Sequence, residues 1–156
     1  VQANASQANT DMAGGSSYHS ATIFTLRTGI AGGRMVYIGV GGDIDGKVNP
    51  DIMVHEGELV QINLINGEGA EHDVVIDQYA ARSSVVVGKN ASSTFSFVAT
   101  KVGEFAYFCS IAGHRQAGME GLIKVMAGPR EPTRWVPSAW SWRTSSPLGL
   151  ATSATM

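Results

Sequence analysis

One stretch of the chain, GEFAYFCSIAGHRQAGMEGLIKVM from Gly103 to Met126, limits the folds that the sequence can adopt. It holds the chain's only cysteine, Cys109, followed at five-residue steps by His114 and Met119. The residues before Cys109 alternate between two faces, and an apolar run begins at Met119, which predicts two strands joined by a tight loop. Such a loop brings the cysteine, histidine and methionine side chains to one end of a strand pair.

Thiolate, imidazole and thioether groups together form a soft ligand set, which suits copper better than magnesium, calcium or manganese. Electron-transfer copper sites use two histidines, one cysteine and a weak axial methionine, so a second histidine must come from another strand. His72 is the candidate. It follows the turn NGEGAE and begins the predicted strand HDVVID, so it occupies a strand end as Cys109 does.

Taken singly, these residues have more ordinary interpretations. A lone cysteine is usually a small buried hydrophobe, a loop histidine is usually solvated, and a methionine beside leucine and isoleucine is usually core. The joint spacing favours a metal site over these alternatives. Of the two other histidines, His19 is assigned to a solvated arm, and His55 to a surface or turn-bonding role in VHEGE, interpreted as a turn between strands.

Short β-rich runs separated by turn residues recur through the middle of the chain. They are ATIFTLRT, RMVYIGV, ELVQINLI, HDVVID, SSVVVGK, STFSFVA, GEFAYFC and GLIKVM. About eight short strands without a convincing helix predict an all-β Greek-key β-sandwich, with the metal loops gathered at one end.

The composition divides the chain into three parts. Residues 1–20 show no apolar period and are predicted to be a flexible N-terminal arm, whereas residues 21–127 form one predicted domain. Residues 128–156, with four of the five prolines and all three tryptophans, are predicted to be a linker or tail, either a natural tether or added sequence.

The charge pattern narrows the class of partner. A net charge of −2 without runs of like charge disfavours nucleic acid and anionic membrane surfaces. Charged residues make up 15% of the chain, which favours docking to another protein through apolar and small residues. No segment approaches the roughly 18 consecutive apolar residues of a membrane span, so we expect a soluble chain without membrane insertion.

The region from about Ile23 to Ala127 resembles the cupredoxins, the type 1 (blue) copper proteins, and is most similar to the N-terminal cupredoxin domain of multidomain copper nitrite reductases. The resemblance is carried by GAEHDVVID and YFCSIAGHRQAGMEGLIKV. It implies one type 1 copper ion that cycles between Cu(I) and Cu(II), with four ligands. It further implies electron exchange with a redox partner protein or tethered nitrite reductase domains, and a periplasmic location. The implied ligands are His72, Cys109, His114 and Met119.

One departure from that family limits the activity expected of this chain. Copper nitrite reductases link their blue copper to a second copper through adjacent Cys and His residues, whereas Ser110 follows Cys109 here, and no His-x-His pair occurs. We therefore expect a module that is not catalytic alone but is part of an enzyme reducing nitrite to nitric oxide. The alternatives are a free-standing electron carrier, a copper storage or delivery protein, and a small copper enzyme. The last needs an open coordination position, against which Met119 argues.

Two further hypotheses concern the surroundings of the ligands. Asp73 and Ser110 are expected to pin the ligand loops by hydrogen bonds, as metal sites generally require. Small and apolar residues around His114 are expected to form the docking patch, with Arg115 as a candidate for tuning partner choice. The patch residues are Ile111, Ala112 and Ala117.

Overall fold

The computed structural model of the protein describes residues 21–128. The arm predicted for residues 1–20, with His19, lies outside the described residues, and so does the tail predicted for residues 128–156 apart from Gly128. Within the described part, nine strands and two single-turn 3-10 segments form, and no α-helix is present.

The nine strands build two mixed sheets with the orders β2-β1-β4-β7 and β3-β9-β8-β5-β6. The pairs β1–β4 and β3–β9 are parallel, and the other paired strands run antiparallel. This architecture confirms the predicted all-β sandwich. The strands are β1 (Thr22–Ala31), β2 (Arg34–Val40), β3 (Ile52–His55), β4 (Leu59–Ile65), β5 (Val75–Ile76), β6 (Ala81–Arg82), β7 (Ser92–Val98), β8 (Gly103–Phe108) and β9 (Glu120–Met126).

The core lies between the two sheets and follows from the alternating patterns of the strands. In β4, Val60, Ile62 and Leu64 are fully buried, as the apolar alternation of ELVQINLI predicts. Each such side chain contributes about 1.5–3 kcal/mol through the removal of apolar surface from water. The buried rings of Tyr37 and Tyr107 meet in this core with centroids 5.4 Å apart.

Three parts of the strand prediction are wrong. The segment SSVVVGK contains only an isolated bridge, between Val86 and His72, and His55 is the last residue of β3 rather than part of a turn. The strand predicted to begin at His72 is shortened to β5, because backbone groups of the two residues before β5 form hydrogen bonds with side chains instead of with a neighbouring strand. The Val74 N–H donates a hydrogen bond to the Ser83 hydroxyl, and the Asp73 carbonyl accepts one from the Tyr37 hydroxyl.

Strand register determines where the site forms. In the antiparallel pair of β5 and β8, Val75 lies opposite Phe108, so two residues further along Asp73 lies opposite Ser110. Their neighbours His72 and Cys109 therefore meet at the same end of the sandwich. Among residues 21–128, no helix has the length and apolar character needed to cross a membrane.

Candidate metal centre

Three of the four predicted ligands lie in the loop between β8 and β9, and backbone hydrogen bonds join them. The Cys109 N–H donates to the Met119 carbonyl at 3.2 Å, and the Met119 N–H donates to the His114 carbonyl at 3.1 Å. The loop turns at Gly113 and Gly118, whose φ angles of 83° and 119° favour glycine. The loop is thus a compact, internally bonded unit.

The structure brings the side chains of His72, Cys109 and His114 together. The Cys109 Sγ lies 3.9 Å from Nδ1 of His72 and 3.6 Å from Nδ1 of His114. The three donor atoms all lie within 4.8 Å of one another, with His72 and Cys109 buried and His114 half-buried. Met119, also predicted as a ligand, is fully buried in the same loop.

These distances fit a single metal ion. A first-row ion bonded at about 2.3 Å to sulfur and about 2.0 Å to nitrogen in a trigonal plane separates those donors by roughly 3.7 Å. The two measured sulfur–nitrogen distances, 3.6 and 3.9 Å, lie on either side of that value. A thiolate and two imidazoles are also the donor types that copper prefers.

The electrostatic surroundings favour a bound cation. Burial raises the pKa of the Cys109 thiol, so the thiolate needs a positive partner to persist there. Burial, and then the neighbouring His72, lower the pKa of His114, which keeps its imidazole neutral and its lone pair free for a metal. The two histidine rings lie 5.0 Å apart between centroids.

Asp73 and Ser110 join the two ligand-bearing segments, as the hypothesis about their hydrogen bonds expects. The buried Asp73 carboxylate accepts hydrogen bonds from the Ser110 N–H at 2.6 Å and from the Ser110 hydroxyl at 2.5 Å. The Arg82 guanidinium donates to the same carboxylate at 3.2 Å. The residues that follow His72 and Cys109 in the chain therefore fix the separation of these two side chains.

Glu68 was not predicted to be part of the site. Its carboxylate contacts Nε2 of His72 and also accepts a hydrogen bond from the Thr28 hydroxyl at 2.5 Å. Its only signal is a position four residues before His72, in a glycine-rich turn where no regular spacing places side chains together. The pairing depends on the folded shape of that turn against β1.

The surface around His114 differs in part from the predicted docking patch. Ala112 and Ala117 are exposed, whereas Ile111 is half-buried and packs against the core. The Arg115 guanidinium lies 4.0 Å above the Phe108 ring and pairs with the Glu120 carboxylate at 2.9 and 3.0 Å. Arg115 therefore stabilises its own loop, and its charge is largely balanced.

No family model matches the chain. Over 98 residues it is 36% identical to a copper-containing nitrite reductase of Rhizobium sullae, covering 56% of this chain and 26% of that reductase. It is also 32% identical over 92 residues to the copper-resistant cuproprotein CopI of Rubrivivax gelatinosus, covering 47% of this chain and 56% of CopI. The chain thus spans about a quarter of the reductase and about half of CopI.

Among solved structures, auracyanin B shares the fold. The TM-score is 0.50 and the sequence identity 15%, and the match covers 67% of this chain and 88% of auracyanin B. At that identity the likeness concerns the fold alone.

Proposed function

We propose, for a chain with the cupredoxin fold and with sequence similarity to copper-containing nitrite reductases, that the described domain is a type 1 copper electron-transfer domain. One copper ion would be held by His72, Cys109, His114 and Met119. The observation that carries the proposal is the convergence of two imidazoles and one thiol within 4.8 Å. These donors meet at one end of the packed sandwich, where His72 and Cys109 are buried.

Copper, when bound, supplies a one-electron couple between Cu(I) and Cu(II). The protein's own residues keep the donor atoms in place. The backbone bonds of the 109–119 loop hold Cys109, His114 and Met119, and the Asp73–Ser110 bonds hold His72 against Cys109. A site fixed in this way changes little between oxidation states, which favours rapid electron transfer. The half-buried His114 is the ligand closest to solvent and is our proposed point of electron exit.

We propose further that the domain serves as the N-terminal module of a larger copper nitrite reductase in the periplasm, passing electrons to tethered domains or a redox partner. The similarity to the Rhizobium sullae reductase supports this context, because the match covers 26% of that protein. The free-standing electron carrier is the alternative with the same copper chemistry.

A second candidate function, copper storage or delivery, is favoured by the similarity to a protein named as a copper-resistant cuproprotein. Delivery requires a metal that exchanges readily, and therefore accessible ligands. Burial of His72, Cys109 and Met119 argues for slow exchange and thus for electron transfer.

The test is a titration of the full chain with Cu(II), followed by visible absorption. If the domain transfers electrons, we expect an intense thiolate-to-copper band, reversible bleaching of that band by a mild reductant, and slow loss of copper to a weak chelator. Cys109→Ser should lose the band, because a hydroxyl cannot replace the donating thiolate, while the apo fold persists. A band of full strength in Cys109→Ser would contradict the site, and fast copper loss from the wild type would favour delivery.

A further inference from the structure

The buried histidine of the site carries an acidic partner on the side facing away from Cys109. Glu68 places its carboxylate against Nε2 of His72, while the Thr28 hydroxyl donates to the other carboxylate oxygen at 2.5 Å. The His72 side chain is fully buried, and that of Glu68 is 21% exposed. Glu68 is thus half-buried, and both of its carboxylate oxygens have partners.

The turn that carries Glu68 is built to hold it there. Asn66 is fully buried, and its side chain accepts from the Gly69 N–H at 2.7 Å and donates to the Val86 carbonyl at 3.2 Å. At Gly67 a Cβ atom would lie 2.1 Å from the Thr28 carbonyl, so the turn presses directly against β1. Such a fixed backbone leaves the Glu68 carboxylate between Thr28 and His72.

This pairing decides which imidazole nitrogen is available to a metal. A carboxylate oxygen accepts hydrogen bonds, so its contact with Nε2 favours the His72 tautomer that has its proton on Nε2 and its lone pair on Nδ1. Nδ1 is the atom that lies 3.9 Å from the Cys109 sulfur. A carboxylate on the outer nitrogen also increases the basicity of a ligating imidazole.

We propose that Glu68 is a positioning residue that selects the Nδ1 donor form of His72 and lowers the reduction potential of the copper site. Only the second half of this inference, the effect on the reduction potential, rests on the proposed function. A more basic imidazole and a nearby negative charge both stabilise the more highly charged Cu(II), so Glu68 favours the oxidised state. His114 is half-buried, whereas His72 is buried.

The potential of the copper-loaded full chain tests the second half of the proposal. Glu68→Ala removes both the hydrogen bond and the charge, and should weaken Cu(II) binding about 10- to 100-fold with a smaller effect on Cu(I). Each tenfold difference between the two states raises the potential by about 59 mV. Glu68→Gln retains an acceptor oxygen, and should raise the potential by a smaller amount.

Glu71→Gln is the matched control, because Glu71 is an exposed carboxylate of the same turn. It removes the same charge, so an equal rise in potential in Glu71→Gln and Glu68→Gln would reduce the effect to general electrostatics and overturn the specific role of Glu68. An unchanged potential in both Glu68 variants would overturn it as well.

Nitrogen-15 NMR of the copper-free full chain tests the first half without reference to copper. We expect His72 protonated at Nε2 in the wild type and in Glu71→Gln, and a mixture of the two tautomers in Glu68→Ala. Protonation at Nδ1 in the wild type would contradict the inference. A wild type without a blue copper band would instead overturn the proposed function, while the tautomer of His72 would still decide whether Glu68 positions the ring.

Discussion

Met119 differs from the other three proposed ligands because a thioether forms only a weak, long axial bond to copper. Its side chain is fully buried, and leucine has a similar volume, so Met119→Leu should cost less than about 1.5 kcal/mol of stability. We expect the variant to retain the visible band and to show a higher reduction potential, because loss of the axial donor destabilises Cu(II) more than Cu(I). Spectroelectrochemistry of the copper-loaded chain measures both.

Met126→Leu provides the control for Met119→Leu. Met126 ends β9 and is 38% exposed, so the same chemical change there should leave the potential at the wild-type value. An unchanged or lowered potential in Met119→Leu would exclude Met119 as a ligand.

Asp73 has a different role, since its carboxylate binds the residue after Cys109 rather than the metal. Asp73→Ala leaves the Ser110 N–H and hydroxyl without their acceptor, and should reduce copper affinity about 10- to 100-fold. The unpaired groups should also lower the free energy of unfolding by about 1–3 kcal/mol. Competition with a copper chelator and urea unfolding of the apo chain measure the two effects. The exposed Asp77 offers the control Asp77→Ala, and equal losses in both variants would contradict the proposed link.

At the residue scale, what could be predicted from sequence depended on regular spacing. Cys109, His114 and Met119 are recognisable because one short loop carries three donor types, and His72 because a strand-end histidine was needed to complete the set. Glu68 reaches His72 only because Asn66 bonds the turn into shape and Gly67 lets it approach β1. The approach of Gly67 to Thr28 joins segments distant in sequence, and no pattern within the turn reveals it.

At the scale of strands, β8 is anchored at its buried side by the hydroxyl of Tyr107. That hydroxyl donates to the Pro50 carbonyl at 2.8 Å and ties β8 to the segment before β3. Tyr107→Phe leaves a buried carbonyl without its partner, and should reduce the free energy of unfolding by about 1–2 kcal/mol without removing the copper band. Urea unfolding of the apo chain is the measurement.

Tyr79→Phe is the comparison for that change. The Tyr79 hydroxyl also donates to a backbone carbonyl, that of Lys101 at 3.0 Å, but this bond is exposed and water can replace it. We expect a loss below about 0.5 kcal/mol. Equal losses in the two variants would show that the Tyr107 bond does not anchor β8.

Strand prediction succeeded where alternation ran long enough to be read. β4 and β9 each have seven residues with buried alternate positions, and both were predicted nearly to their ends. β3 has four residues and β6 only two, which is too short for a period to stand out from a turn. β3 and β6 are the edge strands of the five-stranded sheet and pair with β9 and β5. Their formation therefore depends on the assembled sheet rather than on a local sequence pattern.

At the scale of the whole molecule, the surface around His114 is predicted to be where a redox partner docks. The exposed Ala112 lies in the His114 loop, and the net charge of −2 implies weak long-range steering. Ala112→Asp should therefore slow electron transfer to a redox partner while leaving the visible spectrum unchanged, and the wild-type rate should depend only weakly on salt. Stopped-flow mixing with a partner protein measures both rates.

Val102→Asp adds the same charge at the opposite end of β8, where Val102 is 46% exposed, and should leave the transfer rate unchanged. Equal slowing by the two substitutions would move the docking surface away from His114.

The activity of the chain alone is a separate prediction. Ser110 follows Cys109, so the adjacent Cys and His residues that would link two copper ions are not present there. Only His19 and His55 remain beyond the proposed ligands, which is too few for a second copper site of three histidines within these 156 residues. We expect the copper-loaded chain to be oxidised and reduced by a partner but to show no sustained nitrite turnover with an artificial donor. Nitric oxide production by a preparation with one copper per chain would contradict the electron-transfer assignment.

The loop between β8 and β9 is held at both ends by paired strands. Three proposed ligands lie on a segment whose two ends are fixed by the register of β8 and β9, where Phe108 pairs with Glu120. We therefore expect the sandwich to accept a segment of another length there, provided that buried side chains remain at the positions of Cys109 and Met119. His72 lies outside this segment, just before β5, whereas Cys109 and Met119 at the ends of the segment belong to the buried core. We therefore expect that the electronic properties of the proposed copper site can be redesigned by changing this loop first, while the strands keep their sequence.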